Sequence, residues 1–217
     1  MKAMVRRTIL IAGLAGAAAP VQAQSIYLGL RGGAGIPTGS FNENLNPPCA
    51  PPGCTALNAA KTGFGYGLDA GVGLGMFGVY AGFDNINFDC QSGTCNSDGK
   101  YRLQGVTAGI RLMPPGMSVI RPWVKAGVTF NELEGGYGSG AQEVTTDRNP
   151  GYEIGAGVDI PVFGLFSLYP QARYVGQNFK YSVPGVTNTA TQREAGVNYF
   201  TFDLGLSVHN PLSGMRR

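Results

Sequence analysis

Nine charged residues carry most of the chemistry this sequence could perform. They are Arg31, Asp69, Asp84, Arg111, Lys125, Glu153, Asp159, Arg173 and Asp203, and each lies on the small-residue side of a segment in which every second residue is apolar. The set is sparse and of mixed sign. A solvated face would carry many more charges, so the placement predicts an internal network. Buried ions must be paired, because an isolated one costs several kcal/mol, on the order of a domain's whole stability margin. Arg31, Asp69, Asp84, Lys125, Glu153, Arg173 and Asp203 lie at similar heights along their segments, and Arg111 and Asp159 lie lower. Arg111 is expected to reach Asp69 or Asp84. Asp203, on the last segment, is expected beside Arg31, on the first.

Other chemistry is thinner. Cys49/Cys54 and Cys90/Cys95 each enclose four residues, and the chain has one histidine. That is not zinc spacing, and in an exported chain disulfides are the better reading. Four cysteines allow three pairings. The two local ones are favoured here because each pair sits in its own Pro- or Gly-rich polar stretch, and free or cross-paired thiols remain the alternative. Gly73-Leu74-Gly75-Met76-Phe77-Gly78 fits G-x-G-x-x-G, but no helix follows to offer its N-terminus to a phosphate. Ser207 and His209 share a strand face, yet Asp203 lies too far along to orient the imidazole and nothing aims an oxyanion hole. The sequence therefore predicts no enzyme, no metal and no cofactor.

The segments that position these residues alternate with period two. Phe64, Tyr66, Leu68, Ala70, Val72 and Leu74 oppose Gly65, Gly67, Asp69, Gly71 and Gly73, and Phe200, Phe202, Leu204, Leu206 and Val208 oppose Thr201, Asp203, Gly205 and Ser207. Eight such strands are predicted over residues 24–210, joined by connections that alternate long and short. No amphipathic helical stretch of useful length interrupts them. Residues 1–23 read as a leader, with Lys2, Arg6 and Arg7 ahead of an apolar run and Val21-Gln22-Ala23 at the cleavage positions. Residues 211–217 form a short tail. The three basic residues of the leader account for the excess of 16 basic over 13 acidic residues. The remainder is neutral, which removes the case for nucleic-acid binding.

Eight sequential antiparallel strands with one apolar face predict an all-β, up-and-down barrel. Alternation alone allows two versions: a soluble, lipocalin-like ligand-binding barrel with the apolar face inside, or a transmembrane one with it outside. Three features favour the membrane. Glycine falls mainly on the polar face, as a narrow filled interior requires. The charges on that face are few. Short turns gather at one end and long loops at the other. Tyr27, Tyr66, Tyr80, Trp123, Tyr152, Tyr169 and Tyr199 lie near strand ends and are candidates for interfacial girdles. Tyr27, Trp123 and Tyr169 have inward parity and could instead plug the lower barrel.

The start SIYLGLRGGAGIPTGSF, the hairpin FGYGLDAGVGLGMFGVYAGFD and the end FTFDLGLSV resemble the small outer-membrane barrels of the OmpA/OmpX superfamily. The resemblance covers essentially residues 24–210, with no OmpA-type domain following. The chain runs on past Val208 where such barrels commonly end on an aromatic residue. The resemblance implies a Gram-negative outer membrane, contact with its lipid, insertion by the barrel assembly machinery, and a role in envelope integrity, adhesion or recognition. Any surface partner is expected at residues 38–61, 89–100, 132–151 and 181–196, since a rigid scaffold carries function on its loops. A narrow pore for ions or small solutes is the alternative activity.

Overall fold

A computed structural model describes residues 24–42, 59–90, 100–114, 120–135, 144–181 and 193–211. Cys49, Cys54, Cys95, the side chain of Cys90, and residues 1–23 and 212–217, expected as leader and tail, lie outside what it describes. The described residues form nine strands: β1 (Gln24–Thr38), β2 (Ala60–Leu74), β3 (Phe77–Cys90), β4 (Lys100–Leu112), β5 (Arg121–Gly135), β6 (Val144–Thr145), β7 (Asn149–Phe163), β8 (Phe166–Tyr181) and β9 (Arg193–Pro211). All the long strands pair antiparallel with their neighbours. β9 returns to β1 from Ser25↔Pro211 to Thr38↔Asn198, and the β4–β5 ladder completes the ring. The result is a closed up-and-down barrel of eight long strands, which removes sheet edges along its wall.

The two-residue β6 was not foreseen. β5 pairs β7 only as far as Asn131↔Asn149, and above that point Glu134 and Gly135 pair with Thr145 and Val144 of β6. Thr146 fixes this turn: its Oγ1 accepts from the Leu133 N–H at 3.0 Å, and its own N–H donates to the Leu133 carbonyl at 3.0 Å.

Parity follows the alternating pattern. Leu28, Leu68, Val79, Ile110, Val124, Ile154, Leu168 and Leu204 face out and are exposed. Most residues of the opposite parity are buried; Arg121 at the turn end is exposed, and Asn85, of outward parity, is buried. This excludes the soluble, ligand-binding version, whose apolar face would turn inward. The small inward residues make room for large ones. A Cβ on Gly67 would come within 2.6 Å of the Arg31 guanidinium, and one on Gly157 within 2.5 Å of the Trp123 ring. Gly75 and Gly164 serve a different need, adopting φ of +70° and +54° in the tight β2–β3 and β7–β8 turns, a region open to glycine at little steric cost.

Two girdle candidates are corrected. Tyr80 and Tyr199 point inward and are buried, as are Tyr27, Trp123 and Tyr169. The outward ring at the loop end is instead Phe64, Tyr66, Phe83, Phe130, Tyr152, Tyr174 and Phe200, with Tyr174 in ring contact with both Tyr152 (6.0 Å) and Phe200 (4.9 Å). Phe77, Phe163 and Phe166 mark the turn end. The reason is parity: Tyr80 shares a face with Asp84, and Tyr199 with Asp203, so both must enter the barrel.

Candidate functional site

The structure brings all nine charged residues inside, in two connected clusters. The lower one lies near the turns. Arg111 donates from Nη2 to Asp159 Oδ2 at 2.5 Å, and Trp123 Nε1 donates to Asp159 Oδ1 at 3.1 Å. The Arg111 guanidinium also lies 4.1 Å from the Trp123 ring centroid and 5.0 Å from that of Tyr27. A cation held between two ring faces and a carboxylate is well compensated for its lost hydration. The expected reach of Arg111 to Asp69 or Asp84 is thus replaced by Asp159. β7 presents that carboxylate at the same depth, whereas Asp69 and Asp84 are engaged higher up.

The upper cluster centres on two arginines that share Asp84. Arg31 takes it bidentately, Nη1 to Oδ1 at 2.6 Å and Nη2 to Oδ2 at 2.9 Å, while its Nε donates to Asp69 Oδ2 at 2.7 Å. Arg173 approaches Asp84 from the other side at 3.1 and 3.2 Å. It also donates to Glu153 Oε2 at 2.6 Å and to Asp203 Oδ2 at 2.9 Å. Lys125 Nζ lies 2.9 Å from Glu153 Oε1, which also accepts from Tyr80 Oη at 2.9 Å. The Arg31–Asp203 pair across the β1–β9 seam has its nearest contact at 3.9 Å. Asp203 is held mainly by Arg173, Gln171 Nε2 at 3.0 Å and Thr201 Oγ1 at 3.0 Å. The register accounts for this: Asp203 sits opposite Gly33, two residues above Arg31, and directly across from Gln171 on β8.

A gap of about 10 Å³ separates the clusters, lined by Asp69, Arg111, Lys125, Tyr169 and Ser207 among others. Asp69 Oδ1 and Arg111 Nε have no protein partner there. The space fits a single water, with donors and an acceptor to hold it.

Above the charges the interior changes character. Asn131 Nδ2 donates to Gln177 Oε1 at 2.9 Å, and Gln177 Nε2 reaches the carbonyls of Asn131 and Asn149 at 3.0 and 2.5 Å, bracing the top of the β5–β7 ladder. Over this amide layer lies an apolar cluster that includes Ile86, Phe88, Tyr101, Leu103, Leu133, Val175, Phe179, Val197 and Tyr199. Phe41 joins it from a 3-10 turn (Gly39–Phe41) that follows β1 and tucks back over the barrel mouth. Its ring lies 5.2 Å from Phe88 and 5.9 Å from Tyr101, and Ser40 Oγ fastens the turn to the Gly196 carbonyl at 2.8 Å. Outside, at this level, the wall is polar: Asp89, Lys100 and Arg102 are exposed, and Arg102–Glu134 and Arg148–Glu132 pair at 3.7 and 3.5 Å. The apolar cluster escaped the sequence reading, although Ile86, Phe88, Leu103 and Leu133 keep inward parity while the charges move out.

Ser207 Oγ and His209 Nε2 are 3.0 Å apart, and His209 stacks on Tyr27 at 5.8 Å. Ser207 is only 2% exposed. Among the described residues no group of acidic, Cys or His side chains could hold a metal ion. The expected loop sites fall largely outside the described residues. Strands extend into their flanks, at Ala60–Lys61, Asp89–Cys90, Glu132–Gly135 and Arg193–Gly196.

The family described as outer membrane protein beta-barrel domain matches residues 9–209. No curated protein matches the chain. Among solved structures, Neisserial surface protein A is similar at 15% identity and a TM-score of 0.57, over 84% of this chain and 96% of that one. Ail, the attachment invasion locus protein of Yersinia pestis, is similar at 15% identity and a TM-score of 0.48, over 87% and 99%. The N-terminal β-barrel domain of Pseudomonas aeruginosa OprF is similar at 16% identity and a TM-score of 0.45, over 87% and 100%.

Proposed function

The chain belongs to the outer membrane protein beta-barrel domain family, and on that premise we propose that it is a non-enzymatic display barrel, holding long loops on the cell surface for envelope-stabilising or recognition contacts. The observation that carries this reading is the filled interior. The barrel is closed in succession by the Arg111–Trp123–Tyr27 plug, the Arg31/Arg173 network and the apolar cluster capped by Phe41. Buried side chains at each of these levels argue against an open water path through the described barrel. The filled interior offers rigidity, and the apolar cluster extends that rigidity past the aromatic ring towards the loops.

In this reading residues 38–61, 89–100, 132–151 and 181–196 face outward, residues 1–23 are a removed leader, and lipid covers the apolar belt. The cysteines close local loops, Cys49–Cys54 and Cys90–Cys95, which lowers the ordering cost of binding. Insertion uses the barrel assembly machinery. Protease treatment of intact cells tests the topology: cleavage is expected within residues 43–58 and 136–143. Cleavage at Gly75–Gly78 instead would invert the barrel. Planar-bilayer recordings separate display from transport, with no unitary conductance expected of the folded protein. A barrel whose four long loops are replaced by short turns should still insert and lose any surface contact that the intact protein makes.

A further inference from the structure

Two glycines shape a small square on the outer wall of β8 and β9, directly above the aromatic ring. Gly176 pairs with Asn198 and Asn178 with Gly196, so the four positions are successive rungs of one ladder. All four face outward, because Val175, Gln177, Val197 and Tyr199 between them are buried inside. Neighbouring strands lie about 5 Å apart and two residues span about 7 Å along a strand, so the square has the footprint of one six-membered ring. Over Gly176 lies the ring of Tyr152 from β7. A Cβ on Gly176 would come within 2.6 Å of the Tyr152 Cζ, and Tyr174 flanks the same ring at 6.0 Å. Over Gly196 three polar groups converge. A Cβ there would lie 3.1 Å from Ser40 Oγ, 3.4 Å from Asn178 Oδ1 and 3.9 Å from Asn198 Nδ2.

These groups are open to the outside: Tyr152 is 50% exposed and Asn178 is exposed. Each asparagine amide offers a carbonyl acceptor and an NH2 donor. Ser40 Oγ gives its proton to the Gly196 carbonyl at 2.8 Å and keeps lone pairs that can accept. One patch is thus bordered by an aromatic face, two amides and a hydroxyl oxygen. None of these side chains is charged, whereas the polar wall on β4 and β5 is built from Arg102 and Glu134.

The ligand that matches is a ring with hydroxyls on its rim and C–H bonds on its face. A pyranose sugar is such a ring. Its C–H bonds carry slight positive charge and pack on the negative face of an aromatic ring. Its adjacent hydroxyls both donate and accept, as an asparagine amide requires. A phosphate or carboxylate would find no cation among these side chains. We propose that Tyr152, Asn178, Gly196, Asn198 and Ser40 form a binding site for one uncharged pyranose unit. The site opens sideways along the wall where the apolar belt ends, so the sugar it takes is the headgroup of a lipid in the adjoining leaflet. The lipid source rests on the membrane reading proposed above; the binding chemistry does not.

Solution NMR of asparagine-labelled protein, in a phosphocholine detergent that carries no sugar, tests the site. Methyl glucoside, methyl galactoside and methyl N-acetylglucosaminide are the probes. At least one is expected to move the Asn178 and Asn198 side-chain amides saturably, in the millimolar range that a few contacts on an open wall allow. Gly196→Ala fills the notch. Gly196 is not among the glycines with positive φ, so its backbone accepts alanine, and heat-modifiable gel mobility confirms the fold. Binding should weaken roughly tenfold, the worth of one or two hydrogen bonds. Gly32→Ala, elsewhere on the wall, places its Cβ no nearer than 3.6 Å to its surroundings and should leave binding unchanged. No saturable shift with any of the three sugars would overturn the proposal. So would equal affinity in Gly196→Ala, or tighter binding of glucose 6-phosphate than of glucose. The lipid source is read in nanodiscs, where monoglucosyl diacylglycerol should move the same amides and phosphatidylcholine alone should not. Binding of soluble sugar without a response to the glycolipid would overturn the lipid assignment. Gel mobility of the inserted barrel keeps that failure apart from a failure of the membrane reading.

Discussion

The barrel is two proteins stacked on one set of strands. In its lower part the inside is ionic and the outside apolar, with Arg173 touching three carboxylates while Leu204 and Leu206 face outward. Above the aromatic ring the arrangement inverts: Phe88, Phe179 and Val197 are wholly buried inside, and Asp89, Lys100 and Arg102 are exposed outside. The strands and their parity run through both zones unchanged. What changes is the medium outside. Against hydrocarbon, outward apolar side chains gain nothing by turning in, and polar groups must find partners inside. Against water, burying apolar area is again the main driving force. The inversion therefore marks where the lipid ends, and it shows that one closed sheet can carry both solutions in sequence.

The sharpest way to break the lower zone is to remove its shared cation. Arg173→Met would leave Asp203 with no cation nearer than Arg31 at 3.9 Å and take one of two cations from both Asp84 and Glu153, a loss of about 3–5 kcal/mol. Denaturant midpoints in detergent or lipid, read by the heat-modifiable band, should fall accordingly, and the loss should exceed that of Arg31→Met, which leaves Asp84 with Arg173 and Asp69 with the Tyr169 hydroxyl. The upper zone should fail by a different mechanism. Phe88→Ala removes a ring packed against Phe41 and Tyr199 and should cost about 3 kcal/mol through the cavity it leaves. Its signature is local. Amide exchange should accelerate at the loop ends of β3, β8 and β9 while the strands around Arg111 and Trp123 keep their protection. Uniform acceleration would mean that the two zones are one cooperative unit.

How much of this could be read in the sequence differs between the zones for the same physical reason. Around Asp69 or Asp203 every second residue is apolar and those between are small or charged, so parity, closure and the inward position of the charges follow from a period of two. After Asn85 the pattern inverts rather than disappears. Asn85-Ile86-Asn87-Phe88-Asp89 is as regular as Leu68-Asp69-Ala70, but read without its solvent it looks like lost alternation. Pairing within the network was less legible. Arg111 meets Asp159, and Asp203 leans on Arg173 rather than Arg31, because strand stagger and side-chain reach choose partners across the lumen, and neither is written in one strand. The same holds for Tyr80 and Tyr199, whose nearness to strand ends suggests a girdle although their parity places them inside.

A charge on the outer face distinguishes the two media directly. Leu204 and Asn198 share the outward face of β9, on opposite sides of Phe200. Leu204→Arg, near the middle of the apolar run, should lower folding stability in lipid by about 2–4 kcal/mol, and Asn198→Arg by close to zero. Equal costs would move the lipid boundary above the aromatic ring and remove the reason given for the inversion.

The smallest expected effect concerns the polar wall itself. Arg102 and Arg148 pair with Glu134 and Glu132 at long, single contacts, with the arginine side chains more than half exposed. Exposed pairs of that kind contribute about 0–1 kcal/mol and are screened by salt. Glu134→Gln should therefore shift the denaturant midpoint slightly at low ionic strength and not at all at high. The comparison with Glu153→Gln is the informative part. That carboxylate meets Lys125 and Arg173 with both partners buried, so its loss should be large and should persist in salt. Equal salt sensitivity at the two glutamates would mean that water reaches the network, and the filled interior would no longer separate the two sides of the membrane.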